Sequence, residues 1–251
     1  ALNLKEMETI RNYKEKPTDV ELEAIAQTWS EHCKHKIFQA KIDYVEDGKS
    51  ISIDSLFKTY IKKATEIVGE KIDWLVSVFT DNAGIIRFND KVNLTCKVET
   101  HNSPSALDPY GGALTGILGV NRDILGTGIG SQPIANMDVL CFAPPDYSGA
   151  IPEKLLHPKR VLMGVCKGIE HGGNKSGIPT VNGAILFDER YLGKPLVYCG
   201  TVGLIPRVIN SKPTEIKEVH SDDLIAVVGG KTGKDGIHGA TSRVASRKLA
   251  R

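Results

Sequence analysis

The chain reads as an α+β protein, and three observations carry that reading. Amphipathic helical patterns recur at the start and in the middle of the sequence. A run of short alternating segments begins at Trp74. The two textures interleave with no exact repeat and no low-complexity tract. At 251 residues, 41% hydrophobic and 25% charged, the chain can bury a sizeable core.

The elements follow in order. The first 16 residues form a polar, weakly amphipathic helix. Pro17-Thr18 opens a second, because Thr18 and Glu21 stand in capping-box spacing. Leu22, Ile25, Ala26 and Trp29 are its apolar stripe, and its carboxyl end delivers Ser30, Glu31, His32 and Cys33. A third helix is expected from Asp54 to Val68, with Leu56, Phe57, Tyr60, Ile61, Ala64 and Ile67 on one face. Strand texture then appears in WLVSVF, GIIRF and, after an Asn89-Asp90 turn, KVNLTCKVE. Asp108 to Leu125 is helical but rich in glycine, which suits close packing on another backbone. PIANMDVLCFAP is a strand, and HPKRVLMGVCKGIEHGGNKSG is helical until its glycines stop it. Strands return from Ile178 to Ile205 with turns at Asp188 and Gly193, Pro206 to Ser221 is a connector, and DLIAVVGG is a last strand.

Composition excludes some classes of function. A net charge of +2 with dispersed lysines and arginines gives no footprint for nucleic acid. No apolar run reaches membrane-spanning length and ALNLKEMETI has no signal-peptide core, so a cytosolic address is expected and no membrane partner. Five cysteines, odd in number and without paired spacing, read as reduced thiols.

The chemistry concentrates between Lys97 and Asp123. Glu99 and Asp123 are hard oxygen ligands of the kind Mg²⁺ takes, Lys97 and Arg122 are phosphate partners, and His101 lies where it could move a proton. Alternation places Lys97, Glu99 and His101 on one face of a strand end. Each residue alone fits a solvated hairpin, and Arg122-Asp123 alone fits a surface ion pair. Two glycine loops, GGNKSG and GGKTGKDGIHG, could bring backbone N–H groups to phosphate, or be plain turns; neither is a Walker A loop. Gly164, Cys166 and Gly168 fit the outline of a nucleophile elbow, yet His171 lies only five residues on, and a structural cysteine is the stronger reading.

Four ordered stretches, WSEHCKHK, KVETHNSPSALDPYGGALTG with VNRD, GGNKSGIPTVNG and GGKTGKDGIHGAT, resemble the first synthetase repeat of the phosphoribosylformylglycinamidine synthase family, within the aminoimidazole ribonucleotide synthetase-like superfamily. The resemblance implies a small twisted sheet flanked by helices, followed by the opening of a second α/β subdomain. It divides the chain into an amino-terminal helical and linker segment (1–50), an ATP-binding synthetase-like domain (51–206) and the truncated start of a second subdomain (207–251). It implies ATP-dependent amidation of formylglycinamide ribonucleotide in purine biosynthesis, with ATP and Mg²⁺. Ammonia would come from a glutaminase domain or subunit outside this chain.

Carried over position by position, the resemblance makes His32 and His101 catalytic and lets His35 and Lys97 contact ATP. Thr100, His101, Asn102, Ser103, Arg122 and His238 would touch substrate, with Thr100, Asn102 and Ser103 in a loop, and Glu99 and Asp123 would bind metal. It also implies self-association by sheet pairing, a missing second synthetase half, and a chain that folds without catalysing the complete reaction. The alternatives are a noncatalytic nucleotide-binding or assembly domain, and another ATP-using enzyme of the superfamily.

Overall fold

The computed structural model describes residues 2–13 and 16–231, and the chain divides into one unit through Asp73 and another from Trp74 to Val228. The first unit opens with helix α1 (Leu4–Tyr13), capped by Asn3 and Glu6, each side chain receiving the other's backbone N–H. Helix α2 (Asp19–Thr28) starts with the expected capping box: Thr18 Oγ1 accepts from the Glu21 amide and Glu21 returns to the Thr18 amide.

One expectation changes here. Residues 30–33 do not end α2. Ser30, extended at φ −70°, ψ 162°, caps a new one-turn helix α3 (Glu31–Lys34), so Glu31 and His32 lie in a first turn.

A hairpin absent from the sequence reading follows. Strands β1 (Lys41–Glu46) and β2 (Lys49–Asp54) pair antiparallel around Asp47 and Gly48, both at positive φ (49° and 75°). Two consecutive left-handed residues are what a tight hairpin turn demands, and Asp-Gly supplies them at low cost. Asp54 therefore belongs to β2. The helix expected from it begins three residues later as a π-helical stretch, Phe57–Lys62, continued by α4 (Lys63–Gly69).

The second unit is built on a six-stranded sheet ordered β3-β4-β5-β8-β6-β7. Its strands are β3 (Leu75–Ser77), β4 (Gly84–Arg87), β5 (Val92–Thr100), β6 (Gln132–Phe142), β7 (Thr180–Phe187) and β8 (Leu196–Pro206). All neighbours are antiparallel except β6 and β7, which are joined through a crossover helix, α7 (Pro158–Gly172). Between β5 and β6 run α5 (Asn102–Leu107) and α6 (Pro109–Leu125). The loop expected at 100–103 is thus a strand end followed at once by a helix.

The core lies between the sheet and the pair α6 and α7, where Ile117, Val120, Val165, Ile169, Phe142 and Val197 are buried together. The two helices approach closely because α7 turns Gly164, Gly168 and Gly172 toward α6. A Cβ on Gly168 would stand 2.7 Å from the Tyr110 carbonyl oxygen and 2.9 Å from the Leu114 nitrogen. The opposite sheet face carries Leu94, Val98, Val139, Val202 and Leu204, all half-buried or exposed.

The connector contains a small hairpin, β9 (Val208–Ile209) with β10 (Lys212–Pro213). DLIAVVGG is not a strand: Leu224, Ile225, Val227 and Val228 are each more than 90% exposed and have no strand partner among the described residues. Hydrophobic composition predicted a strand there, but strand structure needs a neighbour.

Candidate functional site

Strand β5 and helix α6 build the site. Alternation along β5 sends Asn93, Thr95, Lys97 and Glu99 to the face that α6 covers. The Lys97 ammonium lies 3.2 Å from Glu99 Oε1 and 3.0 Å from Asp123 Oδ2, the latter from the last turn of α6. Burial alone would lower the Lys97 pKa, but hydrogen bonds and charge from Asp123 and Glu99 outweigh it, and the net movement is upward. The ammonium is therefore held charged between two carboxylates.

α6 makes room for this arrangement with glycines. Gly119 leaves the Glu99 carboxylate uncrowded, since even a Cβ there would be 3.8 Å from Oε2. Gly116 packs on His101, whose Cβ would be 2.9 Å from an added Cβ. His101 itself stands between β5 and α5, as the residue that caps the helix. Its N–H donates to the Val197 carbonyl and its own carbonyl accepts from Ser105 Oγ at 2.6 Å, which fixes the start of α5.

Asn102 is committed to the scaffold, because its Oδ1 accepts from the Val197 amide at 2.8 Å. Ser103 is half-buried in α5. Thr100 falls on the opposite face by alternation, so its side chain is not grouped with Lys97 and Glu99. Arg122 is exposed on α6, and Asp123 turns to Lys97 rather than to this neighbour. His35 closes α3 with a left-handed backbone (φ 52°), in the first unit. His32 has its backbone in α3, and His238 lies outside the described residues.

GGNKSG follows the carboxyl end of α7, where exposed carbonyls and the helix dipole disfavour an anion. Lys175 folds back, 3.2 Å from Glu170 and 3.0 Å from His171 Nε2, and the other His171 nitrogen is 3.0 Å from the Tyr110 hydroxyl. An ammonium can only donate, so Nε2 accepts and Nδ1–H is left to donate to Tyr110. The loop is a braced turn. GGKTGKDGIHG extends from 229 to 239, and from 232 onward it lies outside the described residues.

Gly164, Cys166 and Gly168 lie inside α7, with none of the strand-to-helix turn that an elbow requires. Burial pushes the Cys166 thiol up, away from the thiolate a nucleophile needs. Thiol labelling of the native chain should accordingly modify exposed Cys33 well before Cys166; equal rates would contradict this placement.

Sequence reasoning missed Asp138. It is 4% exposed on β6, accepts from Thr180 Oγ1 at 3.1 Å, and its Oδ1 has no hydrogen-bond partner. Burial pushes its pKa up to about 6, against the hydrogen bonds from Thr180, the Gly200 amide and Cys199. Burial together with the Asp138 charge pushes the Cys199 thiol up in turn. The signal in the sequence was one acid in the apolar run NMDVLCF.

Among the described residues no helix is long and apolar enough to cross a membrane, and no group of three or more His, Cys, Asp or Glu gathers as a metal cluster.

Comparison with known proteins agrees with this fold. The family model for the AIR synthase related protein, N-terminal domain, matches residues 80–205, and that for the formylglycinamide ribonucleotide amidotransferase linker domain matches residues 1–36. The chain is 39% identical over 243 residues to the phosphoribosylformylglycinamidine synthase subunit PurL of Thermoplasma acidophilum, covering 95% of this chain and 28% of that one. Against the Aquifex aeolicus subunit PurL it is 34% identical, covering 92% and 26%. Among solved structures, T. maritima PurL complexed with FGAR superposes with a TM-score of 0.60 at 29% identity, over 95% of this chain and 32% of that chain. T. maritima PurL complexed with AMPPCP gives 0.59 at 26% identity, over 96% and 35%. The chain thus spans between a quarter and a third of the length of the curated relatives it matches. With the synthase-type match extending over half of its residues and containing Lys97, Glu99 and Asp123 together, the chain belongs to the AIR synthase related family and carries that family's N-terminal domain.

Proposed function

We propose that the chain forms a nucleotide-binding part of the enzyme that amidates formylglycinamide ribonucleotide to formylglycinamidine ribonucleotide at the expense of ATP in purine biosynthesis. The observation that carries this reading is the Lys97 ammonium held between the Glu99 and Asp123 carboxylates at the end of β5. A lysine so placed suits phosphate oxygens. The relatives crystallised with ATP, ADP, AMPPCP and FGAR support both ligands.

The donor set also fits Mg²⁺. Two hard carboxylates already converge on one cation, the ammonium, and Mg²⁺ is usually bound by one or two carboxylates with the remaining positions taken by water and phosphate. Glu99 and Asp123 would hold the ion, whose contribution is to offset phosphate charge. In the reaction the amide oxygen of the substrate attacks the γ-phosphorus and ADP departs. Ammonia then adds at the activated carbon, and inorganic phosphate leaves to give the amidine. Lys97 orients the nucleotide and lowers the cost of charge on the transferring group. Arg122 offers an exposed guanidinium to the substrate, Asn102 and Ser103 shape the wall beside it, and His101 exchanges a proton at the reacting nitrogen or oxygen.

The ammonia source is a glutaminase domain or subunit; a T. maritima assembly named PurLQS, 27% identical to this chain with a TM-score of 0.54, supports a multi-subunit setting. A further synthetase half completes the pocket. The open sheet face with Val98, Val202 and Leu204 is the surface we assign to self-association, and the cytoplasm the compartment.

Calorimetry with Mg²⁺ and AMPPCP tests the site. Glu99→Gln and Asp123→Asn should each weaken binding about tenfold, the equivalent of one charge-assisted contact, and blunt its dependence on Mg²⁺. Metal dependence unchanged in both variants would refute the assignment.

A further inference from the structure

Beneath α6 lies a buried polar cluster that the proposed reaction does not use. Asn121 of α6 is 4% exposed, and Asn136 of β6 and Thr201 of β8 are fully buried. Asn121 Oδ1 accepts from Thr201 Oγ1 at 2.7 Å and from Asn136 Nδ2 at 2.9 Å, and Asn136 Nδ2 also lies 2.7 Å from Thr201 Oγ1. Asn121 Nδ2 donates to the Gly172 carbonyl at the end of α7, at 3.3 Å. We infer that Asn121, Asn136 and Thr201 are positioning residues that set where α6 presents Asp123 to Lys97, a role that rests on the reading of Lys97, Glu99 and Asp123 as the nucleotide and metal site.

The connectivity makes the case. Lys97 on β5 is the register partner of Thr201 on β8, and Thr201 is the register partner of Asn136 on β6, so the three form one rank across the sheet face under α6. Thr201 bonds Asn121, Asn121 precedes Asp123 by two residues on α6, and Asp123 bonds Lys97 at 3.0 Å. The circuit closes on itself through one strand pair, two residues of helix and two side-chain contacts.

The packing around it is of a different kind. Gly116, Ile117 and Val120 meet the sheet through apolar surface and close approach, which resist separation but are weakly directional. Hydrogen bonds of 2.7 and 2.9 Å from two strands onto one amide oxygen are directional. A slide of α6 by about 1 Å would stretch both together and move Asp123 from the ammonium.

The cluster is also imperfect as a stabiliser. Asn136 Oδ1 is buried with no hydrogen-bond partner, a cost that aliphatic residues of similar shape would avoid. With an acceptor left orphaned, the network contributes more through the geometry it imposes than through stability.

The decisive comparison is Thr201→Val, which keeps shape and removes the hydroxyl, against Thr201→Ser, which restores it, both in the full chain. Crystal structures without ligand read the Lys97 to Asp123 distance, and calorimetry with Mg²⁺ and AMPPCP reads binding. The Val variant should retain its circular dichroism, show the ion pair opened, and bind roughly five- to tenfold more weakly, while the Ser variant returns both values toward wild type. A lower melting temperature with unchanged distance and unchanged affinity would overturn the proposal. Should Thr201→Val fail to fold, Asn136→Ala removes a donor to Asn121 while leaving the Thr201 bond, and the same two measurements decide. If the wild-type chain binds no nucleotide, the site reading fails by itself, and the ligand-free distance still tests the coupling.

Discussion

Gly112→Ala is expected to destabilise the second unit by about 3 kcal/mol or more, because the added carbon has nowhere to go. It would stand 2.4 Å from the Ser105 nitrogen and 2.5 Å from the Pro104 carbonyl carbon, both backbone atoms of α5. No side-chain rotation relieves such a clash, so α5 must move. α5 starts immediately after His101 and is pinned by Asn102 to the Val197 amide, so the movement reaches the end of β5. Gly119→Ala on the same helix is the control with the opposite sign. Its nearest neighbour is the Glu99 carboxylate at 3.8 Å, an ordinary contact, and alanine gains up to about 1 kcal/mol of helix propensity over glycine. Urea unfolding of the two variants should shift in opposite directions. A Gly112→Ala protein as stable as wild type would mean that α5 and α6 are not packed backbone to backbone.

Asp138→Asn should stabilise the protein at pH 8 by roughly 2 to 3 kcal/mol and leave it nearly unchanged at pH 4. The carboxyl titrates near 6 in the folded chain and near its ordinary 3.8 when unfolded, so the native state prefers the protonated form. A group of that kind contributes its stability below the unfolded value. The contribution is lost as pH rises through about 6, after which the cost of the buried charge is constant. Asparagine keeps an acceptor for Thr180 and removes that cost. Melting temperatures of wild type and variant, followed from pH 4 to pH 8, should diverge across this interval. Parallel curves would show that Asp138 is not burying a charge.

Local patterns were legible, and partners were not. The Thr18 and Glu21 capping box, the strand run from Trp74 and the long helix ending in Gly172-Gly173 were read from residues whose interactions lie within one turn or one strand. The face shared by Lys97 and Glu99 followed from alternation alone. The β1-β2 hairpin carried its signal in Asp47-Gly48 but was hidden by weak hydrophobicity on both flanks. α5 was masked by Pro104, which suits the first turn of a helix as well as it suits a loop. DLIAVVGG shows the reverse error, strand composition without a strand to pair with among the described residues. The Asn121, Asn136 and Thr201 cluster could not have been read at all, since each of its bonds joins elements that the sequence holds far apart.

The order of strands in the sheet has a consequence for the chain as it is made. β8 inserts between β5 and β6, pairing Val92 with Pro206 and Thr100 with Tyr198 on one side and Cys141 with Leu196 on the other. Its two neighbours leave the ribosome long before it does. Until residue 206 is free to dock, β5 and β6 each present a bare edge of unpaired backbone, the exposure that favours wrong pairing with another nascent chain. Lys97 meanwhile has no Thr201 beside it. Synthesis therefore completes the sheet and the ammonium's surroundings in one late event, and interruption before that point leaves two sticky half-sheets in place of a domain.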